Sequence, residues 1–198
     1  MQSTSPSCEH DVTATAARLV VEEGLDFGAA KNRAIRALGL HPRSAMPSNA
    51  ELELAVRAYI DAFCADTQPH ELYALRELAL EWMQRLEHFH PYLSGAVWRG
   101  TATRASDIQI ELFCDDPKMA ELALLDLRVD YEQRSQRGMR GEIVDTLSIH
   151  SACRGLGEVV GVHLLVYDFD RLRGALRRDT EGRPMRGDAQ SLARLLTR

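Results

Sequence analysis

The sequence predicts an α+β protein in which an N-terminal helical region precedes a mixed β-sheet with few helices. Apolar residues recur at helical spacing up to about residue 90, and shorter extended runs follow from residue 94. Glycine-containing loops separate the last three extended runs, at 138–141 and 155–157. Because such short connections join antiparallel strands, we expect hairpins within the sheet.

The first two predicted helices are short. The first runs from about Asp11 to Glu23 with Gly24 as its stop, and the second is capped by Asp26 and ends at Gly39. Two such helices can form half of a helix-turn-helix, but residues 1–66 contain six basic and nine acidic side chains. A DNA-binding surface needs clustered positive charge, so specific DNA binding is not expected.

The next two predicted helices are longer and amphipathic. Ser48 and Glu51 form a capping box at the start of the third helix. The sequence Gln68-Pro69 starts the fourth helix, which ends before Pro91. We expect the two helices to pack as an antiparallel hairpin.

This predicted helical hairpin, residues 48–90, has two interpretations that periodicity does not separate. In the first its apolar face belongs to the core. In the second the face binds a protein partner or a second copy of the chain, through Trp82 and Met83.

The C-terminal half is predicted to be mainly extended. A helix from Pro117 to Leu127, capped by Asp116, interrupts it. Asp168 and Asp170 are interpreted as a strand end and the cap of a short final helix. The strand candidates are Ala96–Arg99, Ile108–Phe113, Val129–Arg134, Ile143–His150 and Val159–Phe169.

The change of pattern divides the chain into a helical region of residues 1–90, an α/β domain of residues 91–175 and a basic C-terminal tail of residues 176–198. The net charge of −5 argues against a general nucleic-acid-binding protein. However, residues 171–198 hold eight arginines. The tail is therefore either a solvated, fraying end or a contact for RNA or phosphate.

Cysteine usage and hydropathy point to the cytoplasm. The cysteines lie far apart without a C-x-x-C pair, which predicts reduced thiols and neither a zinc knuckle nor a disulfide framework. No apolar run approaches the roughly 20 residues that span a bilayer, so no membrane association is expected.

The segment from Gly95 to Ile110 is the stretch most typical of a functional site. It places small residues at Gly95-Ala96, then Gly100-Thr101, and then Ser106-Asp107 at the start of a strand. Backbone amides at a glycine turn before a helix can bind phosphate oxygens, provided that the side chains there are small. Strand alternation then puts Asp107 and Gln109 on one face, about 6.5–7 Å apart, which suits a shared magnesium ion.

Magnesium binding at this strand is expected to be weak. Gln109 offers a neutral carbonyl, whereas Mg²⁺ depends on carboxylates and phosphates. Glu111 lies about 13 Å along the strand from Asp107, which is too far for the two carboxylates to share a metal ion. In the nucleotidyltransferase superfamily, whose signature this segment resembles, a third carboxylate comes from a later neighbouring strand, and the candidates here are Glu132, Asp145 and Asp168, of which we favour Asp145.

Other cofactor chemistries lack a motif. His150, His163 and Cys153 could approach one another, but their spacing does not indicate a zinc site, and neither haem nor NAD is expected. The sequence contains no G-x-x-x-x-G-K-[ST] loop. It also lacks a G-x-S-x-G elbow, so hydrolase chemistry has no motif to support it.

The order G-A, G-T and S-D-I-x-I resembles the signature of the nucleotidyltransferase superfamily, over residues 93–113. The resemblance implies a nucleotidyltransferase-like sheet, a nucleotide site at Gly95, Ala96, Thr101 and Ser106, and metal ligation by Asp107, Gln109 and Asp145. The family carries a second acid where this chain has Gln109. The expected function is therefore a catalytically degenerate protein that binds a nucleotide or acts through a partner, with an active magnesium-dependent nucleotidyltransferase as the alternative.

A second resemblance covers the whole chain. The run Ala17–Leu25, the pair Ala30-Lys31 and the run Phe113–Lys118 are similar to a family of short proteobacterial proteins that carry the label UDP-N-acetylmuramate:alanine ligase. Such a ligase needs a glycine-rich ATP loop and a central ATPase domain. Because this chain has no such loop and 198 residues, that activity is not expected.

Overall fold

A computed structural model describes residues 6–138, 141–175, 178 and 182–197. The expected α+β class is confirmed: helices dominate the N-terminal part, and a five-stranded mixed sheet follows. The chain divides into two compact units, one of residues 1–69 with 101–106 and one of residues 70–100 with 107–198. The boundary expected at residue 90 stays a prediction.

The first unit is built from three helices, α1 (Pro6–Glu23), α2 (Phe27–Ala37) and α3 (Asn49–Phe63). The predicted caps are present, because Asp26 accepts a hydrogen bond from the Ala29 amide and Ser48 and Glu51 form the reciprocal capping box. The apolar faces of the three helices meet in one core that includes Ala16, Ala34, Leu52 and Val56. Helix α1 begins earlier than the predicted start at Asp11.

The segment 101–106 packs into this first unit. The Thr103 hydroxyl donates to the Val21 carbonyl at 2.8 Å, and Gln68 Nε2 donates to the Ala102 carbonyl at 2.9 Å. Gly24 is in the left-handed region, and a Cβ there would overlap the Ala105 backbone. A glycine predicted to stop α1 thus also permits this close approach.

The second unit contains helix α4 (Gln68–Arg85) from His70 onward, helix α5 (Gly95–Arg99), helix α6 (Pro117–Asp126) and the sheet. The sheet order is β1-β2-β5-β4-β3, with β2 and β5 parallel and the other pairs antiparallel. The predicted hairpins β3-β4 and β4-β5 are confirmed, although part of the loop 138–141 lies outside the described residues. The strands are β1 (Tyr92–Ser94), β2 (Ile108–Cys114), β3 (Glu132–Arg137), β4 (Ile143–Cys153) and β5 (Glu158–Asp168).

One face of the sheet is apolar and packs against α4. Trp82 Nε1 donates to Ser151 Oγ at 3.0 Å, and the Cys153 thiol lies 3.7 Å from the Ala74 carbonyl. Trp82 and Met83 are buried in this core. Trp82 and Met83 are therefore not exposed to a partner, whereas partner binding or self-association through other residues of 48–90 stays a prediction.

Two strand predictions need correction. Ala96–Arg99 is helix α5 and not a strand, since Gly95 and Gly100 both adopt left-handed backbone and bracket a single turn. The third strand begins at Glu132, three residues after the predicted start, because Val129 still belongs to the end of α6: Arg128 is left-handed, and the Val129 amide donates to the Leu124 carbonyl.

The C-terminal tail is not a solvated, fraying end over the residues that the structure describes. Gly187 and Leu93 exchange two backbone hydrogen bonds, and Trp98 Nε1 donates to the Pro184 carbonyl at 2.7 Å. Asp188 then caps helix α8 (Ala189–Leu196), whose Leu192 is buried. A short helix is present after Asp168 as predicted, α7 (Leu172–Ala175), but it is not the final one because α8 follows it.

None of the helices in the described part of the chain is long and apolar enough to cross a membrane.

Candidate functional site

The two halves of the predicted motif meet in the second unit. Strand β1 ends at Ser94, and Gly95 turns the chain into α5 with φ of +70°. A Cβ on Gly95 would lie 3.0 Å from Gln109 Oε1, so the glycine turn and the motif strand are in contact. A larger side chain at position 95 would displace Gln109, which explains the glycine.

A row of polar residues crosses the sheet through Gln109. Paired residues of adjacent strands point to the same face, so the register aligns one side chain from each strand. The members of this row, which we call the polar row, are Ser94, Gln109, His163, Ser148 and Glu132.

Asp107 joins the polar row from the loop that leads into β2. Its Oδ2 lies 3.1 Å from His163 Nε2, and the Gly161 amide also donates to the carboxylate. The hydrogen bond from His163 is the main cause that holds the pKa of Asp107 below its usual value, against partial burial. Asp107 is therefore ionised at neutral pH.

Gly161 makes room for the Asp107 carboxylate. A Cβ at position 161 would lie 2.6 Å from Asp107 Oδ1, which is closer than real Cβ contacts. Any side chain at position 161 would therefore push the carboxylate away from His163.

His163 also contacts Ser148 on the neighbouring strand. His163 Nδ1 lies 2.9 Å from Ser148 Oγ, and the two residues are direct partners in the β4-β5 pairing. Asp107, His163 and Ser148 thus form a continuous chain of carboxylate, imidazole and hydroxyl.

Two residues further along β2 from Gln109, the same face of the sheet holds a buried ion pair. Glu111 Oε2 lies 2.9 Å from Arg186 Nε, and the Ser94 hydroxyl hydrogen-bonds the same carboxylate. Burial raises the pKa of Glu111, which Arg186 and Ser94 partly offset. The C-terminal segment therefore contributes a cation to this face of the sheet.

The three candidates for a third carboxylate lie in different places. Asp145 pairs with Val166 and is three residues from Ser148, so strand alternation puts it on the opposite face from Asp107. Asp168 lies at the end of β5, beside Cys114. Glu132 is in the polar row, but it faces Ser148 and pairs with Arg134. The structure does not bring Asp145 to Asp107, which corrects the expected pairing.

The remaining predicted site residues are placed as follows. Ala96 lies in the first turn of α5, next to Gly95. Thr101 and Ser106 belong to the first unit, where Thr101 is buried and Ser106 Oγ accepts from the Thr103 amide at 3.1 Å. Their role in holding a nucleotide stays a prediction.

The donor set around Asp107 does not fit a tightly bound magnesium ion. One carboxylate, already bonded to His163 and Gly161, faces a neutral amide at Gln109. No group of three histidine, cysteine or acidic side chains that could hold a metal is found within the described ranges. The residues considered for zinc also separate, because Cys153 and His150 are three positions apart on β4 and face opposite sides.

Sequence reasoning did not assign His163 and Ser148 to the site. Both residues alternate with apolar neighbours, which marks them as facing away from the packed side of their strands. That alternation was readable in the sequence, but the register that aligns residues 148 and 163 was not.

No family model and no curated protein matches the chain. Among solved structures, the chain is similar to a crystal structure of the Cid1 poly(U) polymerase with MgGTP bound. The two share 15% sequence identity with a TM-score of 0.37, and the match covers 56% of this chain and 38% of the polymerase chain. The chain thus spans well under half of that protein, and a likeness at this level assigns no activity.

Proposed function

We propose that the chain is a nucleotidyltransferase-like protein whose metal site is degenerate, and that it binds a nucleotide without transferring it or acts through a partner. The observation that carries the proposal is Gln109, which contacts the Gly95 turn at the position where the family signature has its second acid. The glycine turn and the strand that resemble the signature are adjacent to each other. The charge that would hold a metal there is missing.

The bonding of Asp107 supports the loss of metal chemistry. A metal ion at Asp107 would have to compete with His163 and with the Gly161 amide for the carboxylate oxygens. Mg²⁺ binds proteins through one or two carboxylates plus phosphates and keeps most of its waters. A single occupied carboxylate is therefore a poor ligand, and we expect nucleotide binding to depend little on magnesium.

The alternative of an active magnesium-dependent nucleotidyltransferase with Asp107 and Asp145 is not favoured. The two carboxylates lie on opposite faces of the sheet. They do not share one metal ion in this arrangement.

The proposal is tested by calorimetric titration of the protein with ATP, GTP, CTP and UTP, each with and without Mg²⁺. We expect weak binding that magnesium does not strengthen. In the Gln109→Asp variant a carboxylate faces the turn, two residues from Asp107 on the same strand face, so magnesium should strengthen binding by about tenfold or more, which corresponds to about 1.4 kcal/mol.

The matched control is Gln133→Asp, which adds the same charge on β3 at a position that pairs with Leu147 on the other face. Magnesium should have no effect on this control. If Gln109→Asp also shows no response to magnesium, the assignment of this strand as a former metal site is wrong.

A further inference from the structure

Three side chains in the second unit have the bonding pattern of a nucleophilic relay. His163 lies between Asp107 and Ser148, 3.1 Å from the Asp107 carboxylate and 2.9 Å from the Ser148 hydroxyl. A carboxylate that orients a histidine, which in turn accepts a proton from a hydroxyl, is the arrangement that activates serine for attack.

The protonation pattern follows from what each group can do. The ionised carboxylate of Asp107 only accepts hydrogen bonds, so His163 Nε2 carries the proton that it donates. In the neutral imidazole, Nδ1 then has a free lone pair and accepts the hydrogen bond from Ser148. The base nitrogen of His163 is therefore directed at the Ser148 hydroxyl.

We propose that Ser148, His163 and Asp107 form a nucleophilic site that hydrolyses small neutral carboxylic esters, an activity separate from nucleotide binding. Ser148 Oγ attacks the carbonyl carbon while its proton passes to His163 Nδ1, and Asp107 stabilises the imidazolium. The carbon–oxygen bond to the leaving alkoxide breaks, and the alkoxide takes the proton. A water molecule then gives a proton to His163 Nδ1 and attacks the acyl carbon. The bond from that carbon to Ser148 Oγ breaks, Oγ takes the proton back from His163, and the carboxylic acid is released.

The charges around the relay select a neutral substrate. Glu132 pairs with Arg134 and Glu111 pairs with Arg186, so these four side chains carry no net charge. Asp107 adds one negative charge beside His163. An anionic substrate would be repelled at this face, whereas a neutral ester would not.

The exposures of the three residues limit the size of the substrate. The Asp107 side chain is 56% exposed and that of His163 is 25% exposed, whereas Ser148 is 4% exposed. A substrate for Ser148 therefore has to carry a small acyl group.

The test treats the folded, full-length protein with methanesulfonyl fluoride, a small neutral reagent that sulfonylates activated serines with loss of fluoride. The labelled residue is then located by peptide mass spectrometry. We expect label on Ser148 and none on Ser151, a serine of the same strand that faces the other side and accepts a hydrogen bond from Trp82.

Two variants distinguish the activation of Ser148 by its neighbours from simple access of the reagent to Ser148. His163→Gln removes the base, and we expect labelling of Ser148 to slow by about 100-fold, the lower end of what a general base contributes. Asp107→Asn, a change at an exposed side chain, should slow labelling in the same direction, while Ser151→Ala should label like the unaltered protein. Circular dichroism checks that each variant is folded.

The proposal is overturned if Ser148 of the unaltered protein stays unlabelled, because an attacking serine has to be reachable. It is also overturned if folded His163→Gln labels at the unaltered rate. Neither outcome bears on nucleotide titrations, so this proposal and the proposed function fail independently.

Discussion

At the scale of single residues, the surroundings of Asp107 decide its chemistry. The aspartate lies two residues before Gln109, the residue that contacts the glycine turn, and its oxygens are held by His163 and by the Gly161 amide. Gly161 is required because a Cβ there would meet the carboxylate. Asp107, which the sequence predicts to be a metal ligand, thus accepts a hydrogen bond from His163 in the structure.

The lowered pKa of Asp107 predicts a dependence of stability on pH. Because the folded pKa lies below the unfolded value of about 3.9, the contribution of Asp107 is present above that value and is lost as pH falls through the folded pKa. We expect the difference in unfolding free energy between the unaltered protein and Asp107→Asn to stay constant above about pH 5 and to shrink below about pH 4. Urea denaturation at a series of pH values measures it.

The control for this prediction is the same comparison in a His163→Gln background. Removing the hydrogen bond from His163 should bring the pKa of Asp107 closer to its unfolded value, so the change below about pH 4 should become smaller. An unchanged pH dependence in that background would show that His163 does not hold the carboxylate.

At the scale of secondary-structure elements, the β4-β5 hairpin and the start of α3 are fixed by different kinds of hydrogen bond. The β4-β5 hairpin sets the register that pairs Ser148 with His163, and it does so through backbone hydrogen bonds along eleven-residue strands. The start of α3 depends instead on side chains, because Ser48 Oγ accepts from the Glu51 amide and Glu51 accepts from the Ser48 amide. The hydrogen bonds from Ser48 also lower the pKa of Glu51.

The capping box predicts a local stability effect. Ser48→Ala leaves the Glu51 amide without its side-chain partner and should cost about 1 kcal/mol in the free energy of unfolding. Urea denaturation followed by circular dichroism checks the value. Ser44→Ala, in the loop before the cap, is the matched control and should change stability by less than about 0.5 kcal/mol. Equal effects at both positions would contradict the role of the cap.

At the scale of the whole molecule, each unit has its own core, and the C-terminal segment is part of the second. The segment is held by the bridge between Leu93 and Gly187, by the hydrogen bond from Trp98 and by the pair between Glu111 and Arg186. The side chain of Arg186 is only 10% exposed. The arginine-rich composition of the tail predicted a solvent-exposed segment, but the side chain of Arg186 is buried against Glu111.

The buried pair predicts non-additive substitutions. Glu111→Gln or Arg186→Met alone leaves an uncompensated charge in a buried place and should destabilise the protein by about 3 kcal/mol or more. The double variant should be destabilised by clearly less than the sum of the two, because neither charge remains. A double-mutant cycle of urea denaturation measures this coupling, and strict additivity would show that the two side chains do not stabilise each other.

The sequence by itself determined the α+β class, the helix caps at Asp26 and Ser48 and the two hairpins of the last three strands. It also identified the segment from Gly95 to Ile110, in which the candidate site lies. These features depend on local periodicity, capping residues and turn glycines, which act over a few neighbouring residues. The sequence also placed Asp107 and Gln109 on one strand face by simple alternation. The metal-ligand roles of Asp107 and Gln109 and the nucleotide contacts of Gly95, Ala96, Thr101 and Ser106 stay predictions, whereas Asp145 lies on the opposite face from Asp107.

The tertiary structure decided which side chains surround Asp107. Residues 107, 148 and 163 meet because β5 pairs with β2 on one side and with β4 on the other, in registers that neither strand encodes alone. The same pairing sends Asp145 to the other face, since one step along a strand reverses the side of every side chain. The docking of Arg186 on Glu111 is likewise a long-range contact, whose partner no local pattern identifies.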